Sequence, residues 1–205
     1  MLRTGSRRAA LIYEILTYGH PALRKKAEPV TDVSGEIREL AADLLSTMRR
    51  ARGLGLAASQ VGRPEAVCVI EVPPNLDVRE QGGTSENPDV SMPLVMINPE
   101  LVYSLGVQEG QEGCLSFPEI FITVKRPYEV AVRYLDIKGR TAQVVGRGLL
   151  ARAIMHEMEH LAGVLLVDHM SPVQKLNLAP QLRKLKKAAK KNCLKQAAAP
   201  GKTRK

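Results

Sequence analysis

His156-Glu157-Met158-Glu159-His160 carries the densest chemistry in the chain: two imidazoles four residues apart, with a carboxylate beside the first. On a helix such residues lie one turn above each other, so both rings project from one face and can grip a single metal ion. Glu157, the next residue round the helix, is placed to take a proton from water at that ion. Two solvated histidines on an amphipathic helix are the simpler alternative. Against it, Leu149, Ala153, His156, His160 and Gly163 form one stripe at spacings of 4, 3, 4 and 3, so the histidines share a face with residues of buried type. The other two histidines, His20 and His169, stand in turn-like settings and receive solvated or structural roles. A catalytic site typically needs a third protein ligand and an open position for water. Cys114, within Glu-Gly-Gln-Glu-Gly-Cys-Leu-Ser at 109–116, is the candidate. Flanking glycines let the backbone approach a metal or substrate, and Gly113 tolerates an unusual turn. A thiolate with two neutral imidazoles leaves a bound water acidic enough to supply hydroxide near neutral pH.

A further segment, Gly53-Leu54-Gly55-Leu56-Ala57-Ala58-Ser59-Gln60, follows the first helical pattern. On its own it reads as a helix end and a tight packing stretch. It lacks the Gly-Lys-Ser of phosphate loops, which argues against nucleotide binding.

The elements that must position these residues follow from periodicity. From Ser34, a plausible N-cap, the residues Ile37, Leu40, Ala41, Leu44, Leu45 and Met48 recur at helical spacing, and this helix should end before Gly53. A second, long helix is expected from about Gly148 to Ala162. Short strands are predicted at Ile12–Leu16, Ala66–Val72, Leu94–Ile97, Glu129–Leu135 and Thr141–Val145. Pro73 to Pro93 is rich in Pro, Gly, Asn and Ser and reads as a surface loop. The expected class is α+β, with mixed or antiparallel strands around a central H-E-x-x-H helix and a basic C-terminal helical tail.

With 205 residues and 44% hydrophobic content, the chain can build one sizeable core but hardly two. No apolar run approaches the roughly 20 residues that cross a bilayer. Met1 to Ala10 has arginines but no apolar stretch behind them, a poor secretory signal. Cys68, Cys114 and Cys193 are odd in number and form no C-x-x-C pair, which points to a reducing compartment. Cys68 reads as core and Cys193 as incidental. Of the formal net charge of +9, residues 181–205 supply ten positive charges and no negative one, leaving −1 on residues 1–180. The polycation is therefore an appendage. The expected organisation is a flexible arm over 1–10, a catalytic domain over 11–172, and a basic helix and tail over 173–205.

Three motifs in order make the chain resemble the peptide deformylases. Gly53 to Gln60 is similar to their G-x-G-x-A-x-x-Q, Glu112 to Ser116 to their E-G-C-L-S, and residues 156–160 to their H-E-x-x-H. The resemblance runs from about Ile12 through Pro172. It implies an enzyme that removes the formyl group from the formylmethionine of new polypeptides. By that resemblance Cys114, His156 and His160 hold one divalent ion, ferrous iron, with zinc, nickel or cobalt able to occupy the site; the ligand set itself suits zinc equally. Glu157 would act as general base and then acid, while the Gln60 amide and the Leu115 N–H would donate to the oxyanion. Gly55 would pair with the substrate backbone, Gly113 would lie beside it, and Leu54, Glu112, Leu149 and Ala153 would shape the methionine pocket. The chain departs from the family at Met155, at Glu159 where Asp is common, and at Phe117 and Glu119-Ile120-Phe121. These departures touch ligand support and the substrate rim.

Two other readings compete. A zinc peptidase would need a further Glu or His ligand after His160, where only Asp168 and His169 are available, and it leaves Cys114 and Gln60 without a role. An RNA-binding module would rest on the cationic tail, which has no aromatic platform beside it. The tail reads instead as an accessory, either a solubilising, solvated helix or a segment that holds the enzyme near ribosomal RNA through residues 181–205. The protein is expected to be a monomer without membrane contact, acting in the cytoplasm, with import into an organelle through the basic N-terminus as the alternative. Ser171-Pro172 should start a helix, Pro180 should break it, and Leu178, Leu182, Leu185 and Ala189 should form an apolar stripe. Roughly the last ten residues are expected to be mobile.

Overall fold

The computed structural model describes residues 10–78 and 83–198, with side chains through residue 194. The first helix, α1 (Gly35–Arg50), buries Ile37, Leu40, Ala41, Leu44 and Met48, the residues that recur at helical spacing. Burying each of the larger side chains contributes about 1.5–3 kcal/mol. Ser34 occupies the N-cap position but makes no capping bond with its side chain. Glu36 in the first turn and Arg49 and Arg50 in the last complement the helix dipole.

Five antiparallel strands form the main sheet in the order β1 (Gly55–Ala57), β2 (Val67–Ile70), β3 (Leu94–Leu105), β6 (Glu129–Leu135) and β7 (Thr141–Arg147). A separate hairpin pairs β4 (Gln108–Cys114) with β5 (Phe117–Arg126). The class is α+β, as expected. All four residues of β2 are buried because both sheet faces are covered. Cys68 and Ile70 pack with Leu150, Ala151 and Ile154 of α2 (Gly148–Leu161), while Val67 and Val69 pack with α1. In β6, Val130 and Val132 join the cluster under α2, and Ala131 between them is buried as well.

Several expectations need correction. Ile12–Leu16 is not a strand. With Leu11 before it, the segment crosses α1, and its donors go to other partners: Leu11 N to Asp43 Oδ1 at 2.7 Å, Tyr13 N to Thr47 Oγ1 at 3.0 Å, and Leu16 N to the Gln60 carbonyl at 2.8 Å. β3 runs eight residues past its expected end, because register shifts between Ile97 and Glu100 absorb Asn98-Pro99 without ending the strand. β4 and β5 were not foreseen as strands. The glycines and charges of β4 disfavour a strand, and the pairing with β5 supplies what propensity lacks. The described residues of Pro73–Pro93 contain no strand of the sheets, yet Asn87 within it is buried and bonds the Arg147 backbone in both directions.

Behind the hairpin a third cluster contains Phe117, Ile120, Ile122, Val124, Leu165 and Leu166. The C-terminal segment caps it. Ser171 accepts from Gln174 N at the start of α3 (Pro172–Asn177), and the helix breaks at Leu178 before α4 (Ala179–Ala198). Leu182 and Ala189 are buried, with Leu178 and Leu185 packed on the third cluster, so the stripe docks the near end of α4. The expected mobility of the last residues and the N-terminal arm fall largely outside the described residues.

Candidate active site

The faces of α2 divide the work. Leu150, Ala151, Ile154 and Leu161 turn into the core, and Glu157 is buried with them. Leu149, Ala153 and His156 are half-buried along a cleft. The stripe that suggested burial is therefore the cleft-facing side of the helix, and His160 alone among its polar members is fully enclosed.

Cys114 comes from the other direction, at the end of β4 where the hairpin register shifts. Its Sγ lies 3.2 Å from His160 Nε2, and the ligand atoms of Cys114, His156 and His160 all fall within 4.8 Å of one another. Ligands at metal-bond distances in a tetrahedron stand roughly 3.5 Å apart, so these three side chains fit one ion with small adjustments. His156 Nδ1 is 3.3 Å from Glu112 Oε2, which favours a proton there and leaves Nε2 free as the ligand atom.

Glu157 sits against Gly55. A Cβ on Gly55 would come within 2.7 Å of Glu157 Cγ and Cδ, so only glycine lets the edge strand pass over the carboxylate. Glu157 Oε2 is buried and, among the described residues, has no hydrogen-bond partner. Such a group costs about 1–3 kcal/mol, which marks a site kept for chemistry over stability. Burial pushes the Glu157 carboxyl up to about 7, with Glu112 adding to the rise and His156 opposing it. Burial also pushes His160 well below the usual histidine range, helped by the charges of His156 and Arg126. At His156 burial acts the same way, but contacts with Cys114 and Glu112 outweigh it and hold the ring well above that range.

Gln60 is aimed by its own backbone neighbourhood. Its Oε1 accepts from Ala57 N at 2.8 Å, which turns Nε2 toward Ser116 Oγ at 3.2 Å and Cys114 Sγ at 3.6 Å. The cleft, about 430 Å³, is lined by Leu54, Gly55, Gln60, Glu112, Gly113, Cys114, Leu115, Leu149, Ala153, His156 and Glu157. The segments singled out in sequence thus converge on one cavity, with His160 beneath it.

Glu112 lines the wall, but its carboxylate is heavily engaged. Two 3.0 Å bonds tie it to Arg126, and Arg152 Nε stands 3.5 Å away. Burial works to raise its pKa, yet His156 and Arg126 outweigh that and bring it to about 2. Arg126 itself, which the sequence reading passed over, is buried and also pairs with Glu159. Glu159 in turn meets His169 Nε2 at 2.8 Å, giving that histidine a structural role. A signal for Arg126 exists in β5: Ile120, Ile122, Val124 and Arg126 share the buried phase of the strand.

A Cys-His-His cluster beside a buried carboxylate, one oxygen of which has no partner among the described residues, on an α+β frame, defines the class: a metallohydrolase. The family model described as polypeptide deformylase matches residues 12–176. A peptide deformylase of Nitrosococcus oceani is 42% identical over 173 residues, covering 84% of this chain and 95% of that protein. One from Thermomicrobium roseum is 45% identical over 166 residues, 81% of this chain and 90% of the other. The crystal structure of a peptide deformylase from Legionella pneumophila superposes with a TM-score of 0.73 at 36% identity, covering 92% of this chain and 99% of that one. The chain belongs to the polypeptide deformylase family, metalloenzymes that remove the N-formyl group from nascent peptides.

Proposed function

We propose that this chain hydrolyses the formamide of N-formylmethionyl peptides with Glu157 as general base and then general acid. The observation that carries the mechanism is the buried Glu157 oxygen, without a hydrogen-bond partner among the described residues, next to the Cys114–His156–His160 cluster. Those three side chains would hold one divalent ion, ferrous iron, with zinc, nickel or cobalt able to substitute. When bound, the ion supplies Lewis acidity that makes water nucleophilic near neutral pH and polarises the formyl carbonyl. Glu157 takes the water proton and returns it to the leaving amine, for which a carboxyl group tuned near neutrality is suited.

Gln60 Nε2 and the Leu115 N–H would donate to the developing oxyanion, each worth about 3 kcal/mol. β1 stands at the edge of its sheet, so Gly55 can pair with an extended peptide as an added strand. Leu54, Leu149 and Ala153, with Gly113 and Glu112 on the opposite wall, shape an apolar recess for the first methionine. No helix among the described residues is long and apolar enough to cross a membrane. We assign a monomer acting in the cytoplasm, its tail over 181–205 contacting ribosomal phosphates. Exposed Arg183, Lys184, Lys187, Lys190 and Lys191 support that contact.

The test is Glu157→Gln in metal-loaded enzyme with a formyl-Met peptide. Metal content should persist while kcat falls by about three or more orders of magnitude, because an amide cannot shuttle the proton. Full turnover in that variant would sink the mechanism.

A further inference from the structure

Phe121 stands at the mouth of the cleft with 62% of its surface exposed, in a chain that has only two phenylalanines and no Trp. Single exposed apolar residues are ordinary on protein surfaces. This one is distinguished by how it is held. Ile120 and Ile122 turn into the third cluster, which directs Phe121 to the opposite face of β5. Its register partner across the hairpin is Gly113, the neighbour of Cys114. A Cβ on Gly113 would lie 2.6 Å from Phe121 Cε1 and 2.9 Å from Cδ1, so the ring rests on bare glycine backbone. A missing side chain thus lets an aromatic ring fold onto the strand that forms the cleft wall. Pro118 and Glu119 stand on the same rim, and Gly53 to Gly55 contribute to the cleft from β1 and the residues before it.

Side chains of an extended peptide alternate in direction. With the first methionine directed to the floor at Leu149 and Ala153, the next side chain turns toward the mouth. We propose that Phe121 is a specificity-determining residue that favours an apolar or aromatic side chain immediately after the formylmethionine. The inference rests on the deformylase reading of the cleft. A rim contact leaves part of both partners wet, so the expected gain is about three- to tenfold in kcat/KM, carried by KM.

The experiment uses metal-loaded, full-length enzyme and formyl-Met-X-Ser peptides with X as Gly, Asp, Leu or Phe. In the wild type the Phe or Leu peptide should exceed the Gly peptide by that factor. Phe121→Ala should bring the ratio close to one, and Phe121→Lys should shift preference toward the Asp peptide. Each ratio is internal to one protein, so a general loss of activity does not blur it. An unchanged ratio in Phe121→Ala overturns the proposal. So does sensitivity that appears only when the third residue is varied in a parallel formyl-Met-Gly-X series. No deformylation by wild-type enzyme would strike the proposed function itself, whereas an active enzyme without second-residue preference strikes this inference alone.

Discussion

Beneath α2 one guanidinium serves two carboxylates, while α4 carries a run of cations with no acidic residue in its sequence. Arg126 is 3% exposed, and its partners are fixed atom by atom through Glu112 and Glu159. The charges of α4 are mostly exposed, and its docking relies on Leu182, Ala189 and their neighbours. Lys186 is exposed like the others but has a defined contact, its ammonium lying 5.1 Å from the centre of the Tyr18 ring. The difference follows from solvent. A buried charge must find specific partners, because desolvation costs several kcal/mol, whereas a hydrated one tolerates many positions. Charge in the first region sets geometry; in the second it sets the field around the molecule.

The largest effect is expected where the buried region meets the proposed metal ligands. Cys114→Ala should remove both bound metal and activity, read by metal analysis and turnover together. Retained metal at full stoichiometry would mean that the two histidines suffice. Arg126→Met should come next, because it leaves Glu112 and Glu159 without their shared cation. A loss of about 3–5 kcal/mol in urea unfolding is expected. A loss below 1 kcal/mol would place Arg126 in the same category as the α4 cations.

Deleting residues 190–205 should have a smaller effect on the enzyme itself. Hydrolysis of a short formyl peptide should stay within about twofold, while ribosome co-sedimentation weakens, most visibly at low salt. Equal co-sedimentation at every salt concentration would refute the ribosome contact. The smallest effect is expected at the exposed Arg24–Asp168 pair, with contacts of 2.5 and 2.9 Å. Burial tends to raise the Asp168 pKa, but Arg24 and the Leu165 N–H outweigh it and hold the group below 3.8. A depressed carboxyl lends stability above its unfolded value and loses it as pH falls through the folded one. Arg24→Met should therefore flatten the acid limb below about pH 4 and cost less than about 1 kcal/mol at pH 7. An acid limb identical to wild type would show that the pair lends nothing.

Much of the centre was legible because its signals are local. His156, Glu157 and His160 are ordered by helical pitch alone, and Ser171-Pro172 and Pro180 mark the start and break of the C-terminal helices by backbone chemistry. α1 likewise appeared residue by residue, since one face of a helix carries its own periodicity. Ile12–Leu16 misled for the complementary reason. Its pattern suits a strand, but a strand needs a neighbouring edge, and α1 offered side chains instead.

The sequence by itself determined which side chains are available for metal chemistry and which helix carries two of them. Only the tertiary structure decided how Glu112 is used, tied to Arg126 fourteen residues away and to His156 forty-four residues away. It also decided why Gly55 is glycine, through the approach of Glu157 from a helix about a hundred residues later, and why Phe121 lies open on Gly113. Periodicity records the face of one element because the peptide geometry repeats along it. Which face meets which depends on packing between elements, and that information exists only once the chain has folded.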